Sequence, residues 1–291
     1  MSEEWPLLTF TILGQLAIGT FIMLVIVRSL LGAKIGAKAA GEVTRFGILA
    51  VGPVMLVALI ASFFHLGSPM LAFNALGNLK TSWLSREILF TGLFFLLWLI
   101  TYYSSKKEGS GQVLSWCTSI VGLIAVFCMA GIYAHSNKPA WTNVNTYLTF
   151  FGAAFVMGAI ASGAAVAYGA KGKSHEEPIR RILSNVSLIA LFTIAVQLIF
   201  LPVYMGGLAG TGEAAQASVQ LLSGSYAVPF VLKWILSILV GVMVFYVSTK
   251  RGNNQGVSPN LIYTALGVAI LSEFIGRYVF YSTAVSAIFG M

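Results

Sequence analysis

The sequence predicts an all-α integral membrane protein that crosses the bilayer eight times. The chain has 291 residues, of which 58% are hydrophobic and only 9% are charged, whereas soluble domains are about 45–50% apolar and about 25% charged. The apolar residues occur in stretches of about twenty, the length that a helix needs to cross the hydrocarbon core. Such stretches are too long and too continuously apolar to be the strands of a membrane barrel.

Each apolar stretch is predicted to be a helix, because backbone groups in lipid must be hydrogen-bonded within the protein. In sequence order the predicted spans cover residues 6–30, 46–65, 87–105, 113–135, 146–170, 182–206, 226–249 and 259–287. No soluble domain or low-complexity tract separates them. Residues 1–291 are therefore expected to form a single transmembrane domain.

Particular residues distinguish several of these elements. The second span ends at His65 and the third begins at Arg86-Glu87, so both boundaries carry titratable groups. The fifth span is rich in small residues such as Gly158, Gly163 and Gly169, which allow helices to approach closely in lipid. The loop over residues 207–225 is long and has no basic residue. We expect this loop to cover the outer face.

The basic residues predict the orientation of the protein in the membrane. If the N-terminus is outside, twelve of the 17 lysines and arginines fall in inner loops and three in outer loops, which follows the positive-inside rule. The twelve are Arg28, Lys34, Lys38, Arg45, Lys106, Lys107, Lys171, Lys173, Arg180, Arg181, Lys250 and Arg251. Both termini are then expected to be periplasmic, in a bacterial inner membrane. Because these charges are scattered along short loops, the net charge of +8 indicates no nucleic-acid partner.

His65 and Glu87 are predicted to lie at adjacent helix ends and at similar membrane depth. Alone, each has an ordinary explanation: His65 can cap the second span, and Glu87 can stabilise a helix N-terminus or pair with Arg86 in the outer water. Ionisable groups within a membrane protein usually mark a proton, ion or ligand pathway. Together the two residues favour a site for a lipid-soluble molecule that exchanges protons.

The last span adds Glu273 and Arg277, which are four residues apart and can pair on one helix face. They are either a structural ion pair or part of the wall and proton path of the polar pocket, with Tyr281 just beyond them. Lys233, in the seventh span, can extend its ammonium outward to water or toward the same pocket. Extension to water is the favoured interpretation.

The sequence gives no indication of a bound metal or haem. Of the other histidines, His135 ends the fourth span and His175 lies in an inner loop. Two axial haem ligands would face one another within a bundle, whereas His65 and His135 are both at helix ends. Cys117 and Cys128 are about 16 Å apart along one helix, and they form no cluster-binding motif. We therefore expect no metal site in this protein.

Four sequence runs resemble the membrane-anchor subunit of anaerobic dimethyl sulfoxide reductase. They are the start Trp5–Phe10, the motif His65–Leu76 with its His-Leu-Gly-Ser-Pro beginning, the segment Ser82–Ile88 and the late run Ser272–Tyr281. The length and the eight-span topology agree as well. The resemblance implies an anchor for an iron–sulfur subunit and, through it, a molybdopterin catalytic subunit on the periplasmic side. It also implies menaquinol oxidation without a haem or metal in the anchor.

The resemblance places the quinol-site histidine, glycine and glutamate of the family at His65, Gly67 and Glu87. We expect quinol to enter from lipid near spans two, three and eight, His65 to bind a quinol oxygen, and Glu87 to accept a proton and release it outward. The predicted quinol-binding residues are His65, Gly67, Ser68, Glu87 and Arg277. The predicted proton-transfer residues are His65, Glu87 and Glu273, and the predicted pocket residues are Asn74, Arg86, Lys233 and Tyr281.

Three alternatives remain open from the sequence. The protein could anchor a related polysulfide- or thiosulfate-type molybdenum reductase, with a proton route through Glu273. It could be a secondary transporter, although Pro53, Pro202 and Pro229 do not break the spans at matching places in two halves. It could also be a passive anchor without a quinol site.

Overall fold

The computed structural model describes residues 5–65, 76–104, 111–171, 176–249 and 259–287, without the side chains of His65, Leu76, Glu176 and Pro259. Within these ranges, eight helices are long and apolar enough to cross a membrane, which confirms the predicted number of spans. The long helices are α1 Trp5–Ile35, α2 Ala37–His65, α3 Trp83–Ser104, α4 Gln112–Ala134, α5 Val144–Gly169, α6 Glu176–Ala209, α8 Ala227–Thr249 and α9 Pro259–Ser282; α7, Glu213–Ser223, is short.

Several helices extend beyond the apolar stretches that predicted them. The helices α1 and α2 are separated only by Gly36, whose φ of +86° is a conformation that glycine adopts without strain. The residues between the first two predicted spans, 31–45, are mostly polar or small, but they can continue a helix past the hydrocarbon core. The last predicted span was too long at its end, because α9 stops at Ser282.

The outer loop predicted over 207–225 contains the short helix α7. Its buried residues are Ala214, Ala215, Ser218 and Leu222, so one face of this helix packs on the bundle while its polar face is exposed. A hydropathy profile does not show this helix, because polar residues alternate with the small apolar residues of its buried face. The loop is thus a helix that lies against the bundle.

The helix α1 lies at the centre and packs closely against α5. A side chain at Gly158 would collide with the backbone of Gly19, and one at Gly19 would collide with the carbonyl of Ala154. Gly169 similarly meets the backbone of Val43 in α2. These contacts confirm the predicted close packing for Gly158 and Gly169, whereas a side chain at Gly163 would make only ordinary van der Waals contacts.

Loop and terminal segments meet at one end of the bundle, which we term the capped end: residues 135–143, α7 and residues 283–287. The backbone N–H of Ala287 donates to Asn137 O at 3.0 Å, and that of Val285 donates to Ser218 Oγ at 3.1 Å. The basic end is the opposite one, defined by Arg28, Lys34, Lys38, Arg45 and Lys171. Which end faces the periplasm stays a prediction from the charges.

Candidate functional site

Four charged side chains are buried among the residues that the structure describes: Glu87 on α3, Lys233 on α8, and Glu273 and Arg277 on α9. Glu87 is 6% exposed and Arg277 only 1%. Two acids and two bases can balance each other, but charges within a membrane remain costly unless each is well satisfied. Their surroundings therefore define the candidate site.

Arg277 is held by α1 and α5. Its Nη2 donates to Gln15 Oε1 at 2.9 Å, and its guanidinium carbon lies 3.6 Å from the centroid of the Phe150 ring. Arg277 Nε and Nη1 and Gln15 Nε2 are buried without a hydrogen-bond partner in the described structure. Buried polar atoms are nearly always paired in proteins, so these three donors are suited to an oxygen of a ligand or of water.

A series of hydroxyl groups lies one turn beyond Arg277. Tyr281 Oη is 3.1 Å from Tyr133 Oη, and it donates to Thr11 Oγ1 at 3.4 Å. Tyr133 also packs against the rings of Trp141 and Phe150. These hydroxyls link α1, α4 and α9 in a buried polar layer, and hydroxyl groups can both donate and accept protons.

Glu87 of α3 is buried near this layer. Its carboxyl group is within electrostatic range of both Tyr133 and Tyr281. The N-terminus of α3 is capped instead by Ser82, whose Oγ accepts from the Ser85 N–H at 3.2 Å. Glu87 is therefore a buried acid within electrostatic range of two of these hydroxyl groups, and it is not the cap of the helix.

Arg86 faces away from Glu87 and holds the loop before α3. Its Nε donates to Leu79 O at 2.8 Å and its Nη2 to Lys80 O at 2.6 Å, while its guanidinium lies over the Trp83 ring. The alternative of a water-facing Arg86–Glu87 pair is thus wrong. Arg86 orders the approach to the site from the capped end.

The expectation that Lys233 extends to water is wrong, because its side chain is buried between α8 and α9. Its Nζ lies 3.9 Å from Glu273 Oε1 and 3.6 Å from the centroid of the Trp234 ring. The stem of Lys233 passes over Gly276, where even a Cβ atom would be crowded. The absence of a side chain at Gly276 leaves space for the Lys233 stem, so that the Lys233 ammonium lies near the Glu273 carboxylate.

Glu273 and Arg277 have different partners, although their spacing allows them to pair. Glu273 has its ion pair with Lys233, and Arg277 has its hydrogen bond with Gln15. Beside the ion pair, Ser272 Oγ donates to the carbonyl oxygen of Lys233 at 2.9 Å, and lies 2.9 Å from Ser237 Oγ. The last span thus carries two polar environments one turn apart.

Four of the predicted site residues cannot be placed. Gly67, Ser68 and Asn74 lie outside the described residues, as does the side chain of His65. The backbone of His65 ends α2, where the preceding Phe64 ring lies 5.9 Å from that of Trp5. The roles predicted for these four residues remain predictions.

Sequence reasoning missed Thr11, Gln15 and Tyr133. A signal existed for the first two, because a threonine and a glutamine four residues apart share one face of an otherwise apolar span. Tyr133 carried no such signal, since it is one of many aromatic residues near span ends. Within the described part of the protein, no group of three or more His, Cys, Asp or Glu residues could hold a metal ion.

Comparison with known proteins identifies one family. Residues 1–283 match the family described as DMSO reductase anchor subunit (DmsC). The sequence is 28% identical to the C subunit of anaerobic dimethyl sulfoxide reductase from Escherichia coli (strain K12), over 96% of this protein and 94% of the relative. It is 29% identical to the C subunit of the Haemophilus influenzae reductase over the same shares. It is 32% identical to the YnfH subunit of Escherichia coli (strain K12), over 67% of this protein and 68% of the relative.

Proposed function

Because this chain belongs to the family of DMSO reductase anchor subunits, we propose that it anchors a periplasm-facing dimethyl sulfoxide reductase complex and oxidises menaquinol in anaerobic respiration. The family supports a place in an oxidoreductase complex, and the eight apolar helices support a multi-pass anchor. The quinol-oxidising role rests on one observation. Glu87 is a buried carboxyl group within electrostatic range of the hydroxyl pair Tyr133–Tyr281, which lies one turn beyond the buried Arg277.

In the proposed reaction, quinol gives up two electrons and two protons and leaves as quinone. His65, together with Gly67 and Ser68 of its motif, binds one quinol oxygen at the end of α2. Arg277 offers its unpaired N–H groups to an oxygen atom. Glu87 takes one of the two protons, and His65 takes the other from the oxygen that it binds. A base within hydrogen-bond reach of the proton that it removes is the usual requirement for such a step.

Both protons leave toward the capped end, and the two electrons go to a partner subunit docked there, where an iron–sulfur cluster would accept them. A molybdopterin subunit then reduces the acceptor. If both half-reactions exchange protons on the outer side, the reaction moves no net charge across the membrane. Asn74, Arg86 and Tyr281 shape the pocket, which quinol reaches from lipid between α2, α3 and α9.

The buried pair of Glu273 and Lys233 supports a second candidate, a related polysulfide- or thiosulfate-type reductase with a proton route through Glu273. A carboxyl group in mid-span with two serines beside it has the chemistry of such a route. Family membership argues against the transporter alternative. The substrate reduced by the copurified catalytic subunit distinguishes the two reductases.

The proton-acceptor role is tested by Glu87→Gln in the assembled complex. We expect loss of quinol-driven acceptor reduction by at least tenfold, since general-base catalysis contributes about 10²–10⁴-fold, while reduction driven by a soluble viologen dye is unchanged. Glu213→Gln is the matched control, because Glu213 is an exposed acid at the capped end. Normal quinol turnover in Glu87→Gln would reject the role.

The anchor role is tested by purifying the protein in mild detergent from anaerobically grown cells and measuring metals. Molybdenum and iron should accompany it. A protein that purifies alone and free of both metals would reject the complex.

A further inference from the structure

An open groove of about 560 Å³ lies at the basic end, between α2, α3 and α5. Arg45, Phe46 and Leu49 of α2 line one side, and Tyr168 of α5 and Lys171 line the other. It is far from the candidate site, because Glu87 and the groove residue Tyr102 are separated by about 22 Å along α3. The groove is therefore separate from the candidate quinol site.

The part of the groove that lies further into the predicted span is apolar, and its side chains are exposed on the outside of the helix bundle. Phe46 is 48% exposed and Leu49 is 41% exposed, and the Phe46 ring packs at 4.5 Å against that of Tyr168. Phe46 is the first residue of the predicted second span, and Leu49 lies about one turn further along it. In a membrane this surface contacts lipid tails, and Tyr168 is at the depth where tyrosines are enriched.

Two cations, Arg45 and Lys171, line the part of the groove that lies nearest to the water at the basic end. The Arg45 guanidinium makes no hydrogen bond or ion pair within the described residues, and it is exposed. The Lys171 ammonium lies 5.5 Å from the centroid of the Tyr168 ring, a weak contact that leaves its N–H groups available. With the acid Glu42 also in the lining, the groove has a net charge of +1.

We propose that this groove binds an anionic phospholipid. The phosphate lies between Arg45 and Lys171, and an acyl tail runs along Phe46 and Leu49. Basic pockets between membrane helices bind lipid head groups in this way. The net positive charge favours phosphatidylglycerol or cardiolipin over zwitterionic phosphatidylethanolamine, in which the ammonium group would be repelled.

Native mass spectrometry of the protein as purified from membranes, with the subunits that accompany it, tests the proposal. Cardiolipin, phosphatidylglycerol and phosphatidylethanolamine are added at equal concentrations to the wild-type protein and to the double variant Arg45→Gln/Lys171→Gln. The wild-type protein should bind the anionic lipids at least fivefold more tightly than phosphatidylethanolamine. The double variant should lose about fivefold in affinity for each cation removed.

The matched control is Lys34→Gln/Lys38→Gln, which removes two exposed charges from the basic end outside the groove lining. It should bind anionic lipid within twofold of the wild-type protein. Equal losses in the two double variants would show only a general attraction to the charged end and would overturn the proposal. So would equal binding of anionic lipids and phosphatidylethanolamine by the wild-type protein.

Discussion

Arg277 shows how one buried cation can be satisfied and still be available for a ligand. Its charge is spread over a planar group, one face of which lies on Phe150 while one nitrogen donates to Gln15. Contact with an aromatic face contributes about 2 kcal/mol when it is desolvated. The remaining nitrogens stay unpaired among the described residues. A lysine has no such planar fork and could not hold both contacts while offering further N–H groups.

The buried Lys233–Glu273 pair gives a prediction about single charges. Lys233→Met or Glu273→Gln alone leaves one buried charge without its partner, which costs about 3–5 kcal/mol. Each single variant should lower the thermal midpoint of the purified complex, and the double variant should recover most of that loss. Melting curves of the four proteins provide the measurement.

Losses that simply add in the double variant would show that the two side chains do not stabilise each other. A double variant that is stable but has lost quinol turnover would support the proposed proton-transfer role of Glu273. Full turnover in the same protein would confine Glu273 to packing.

Residues of the candidate site differ in how far sequence could predict their surroundings. The depth of Glu87 and Arg277 in the membrane follows from their positions in apolar spans, and both are buried in the structure. The sequence does not show which neighbouring helix a side chain meets. For this reason the i, i+4 spacing of Glu273 and Arg277 left their partners open, and the length of the Lys233 side chain allowed the wrong direction.

Among the elements, α1 is central because it is apolar on all sides and offers a glycine where α5 crosses it. Small residues let membrane helices approach until their backbones touch. Phe21 of α1 also packs edge-on against Phe94 of α3, with ring centroids 5.6 Å apart. Since Thr11 and Gln15 are on this same helix, the packing of α1 fixes the positions of the side chains that bond Tyr281 and Arg277.

Two alanine substitutions on α5 test this packing. Gly158→Ala would place a methyl group against the backbone of Gly19, whereas Gly163→Ala would meet only side-chain atoms at 3.7–3.9 Å. We expect Gly158→Ala to destabilise the protein by about 1–3 kcal/mol and Gly163→Ala to have little effect. Thermal melting of the two purified variants makes the comparison, and equal midpoints would contradict the close crossing of α1 and α5.

Hydropathy predicts the middle of each span better than its ends. Lipid exposure requires the apolar core of about twenty residues, but nothing in lipid decides where a helix stops in water. The hydropathy prediction therefore missed the extension of α1 and α2 toward Gly36 and the early end of α9. It missed α7 because that helix buries one narrow face of small residues.

Across the whole molecule, the two ends differ in charge and in construction. The basic end carries Arg28, Lys34, Lys38, Arg45 and Lys171, while the capped end is closed by α7 and by hydrogen bonds from residues 285 and 287. Positive charge resists transfer across the membrane. The buried acid Glu87 lies near the start of α3, toward the capped end, so proton release and partner docking are proposed on the same side.

Reporter fusions test this orientation directly. Alkaline phosphatase needs disulfides that form only in an oxidising compartment such as the periplasm, so a fusion at the C-terminus should be active and a green fluorescent protein fusion there should be dark. Fusions after Lys173, in a predicted inner loop, should give the opposite pattern. Because α1 begins at the capped end and residues 283–287 after α9 also lie there, a reversed pattern at both positions would put Glu87 on the cytoplasmic side. Periplasmic proton release and periplasmic docking would then both be wrong.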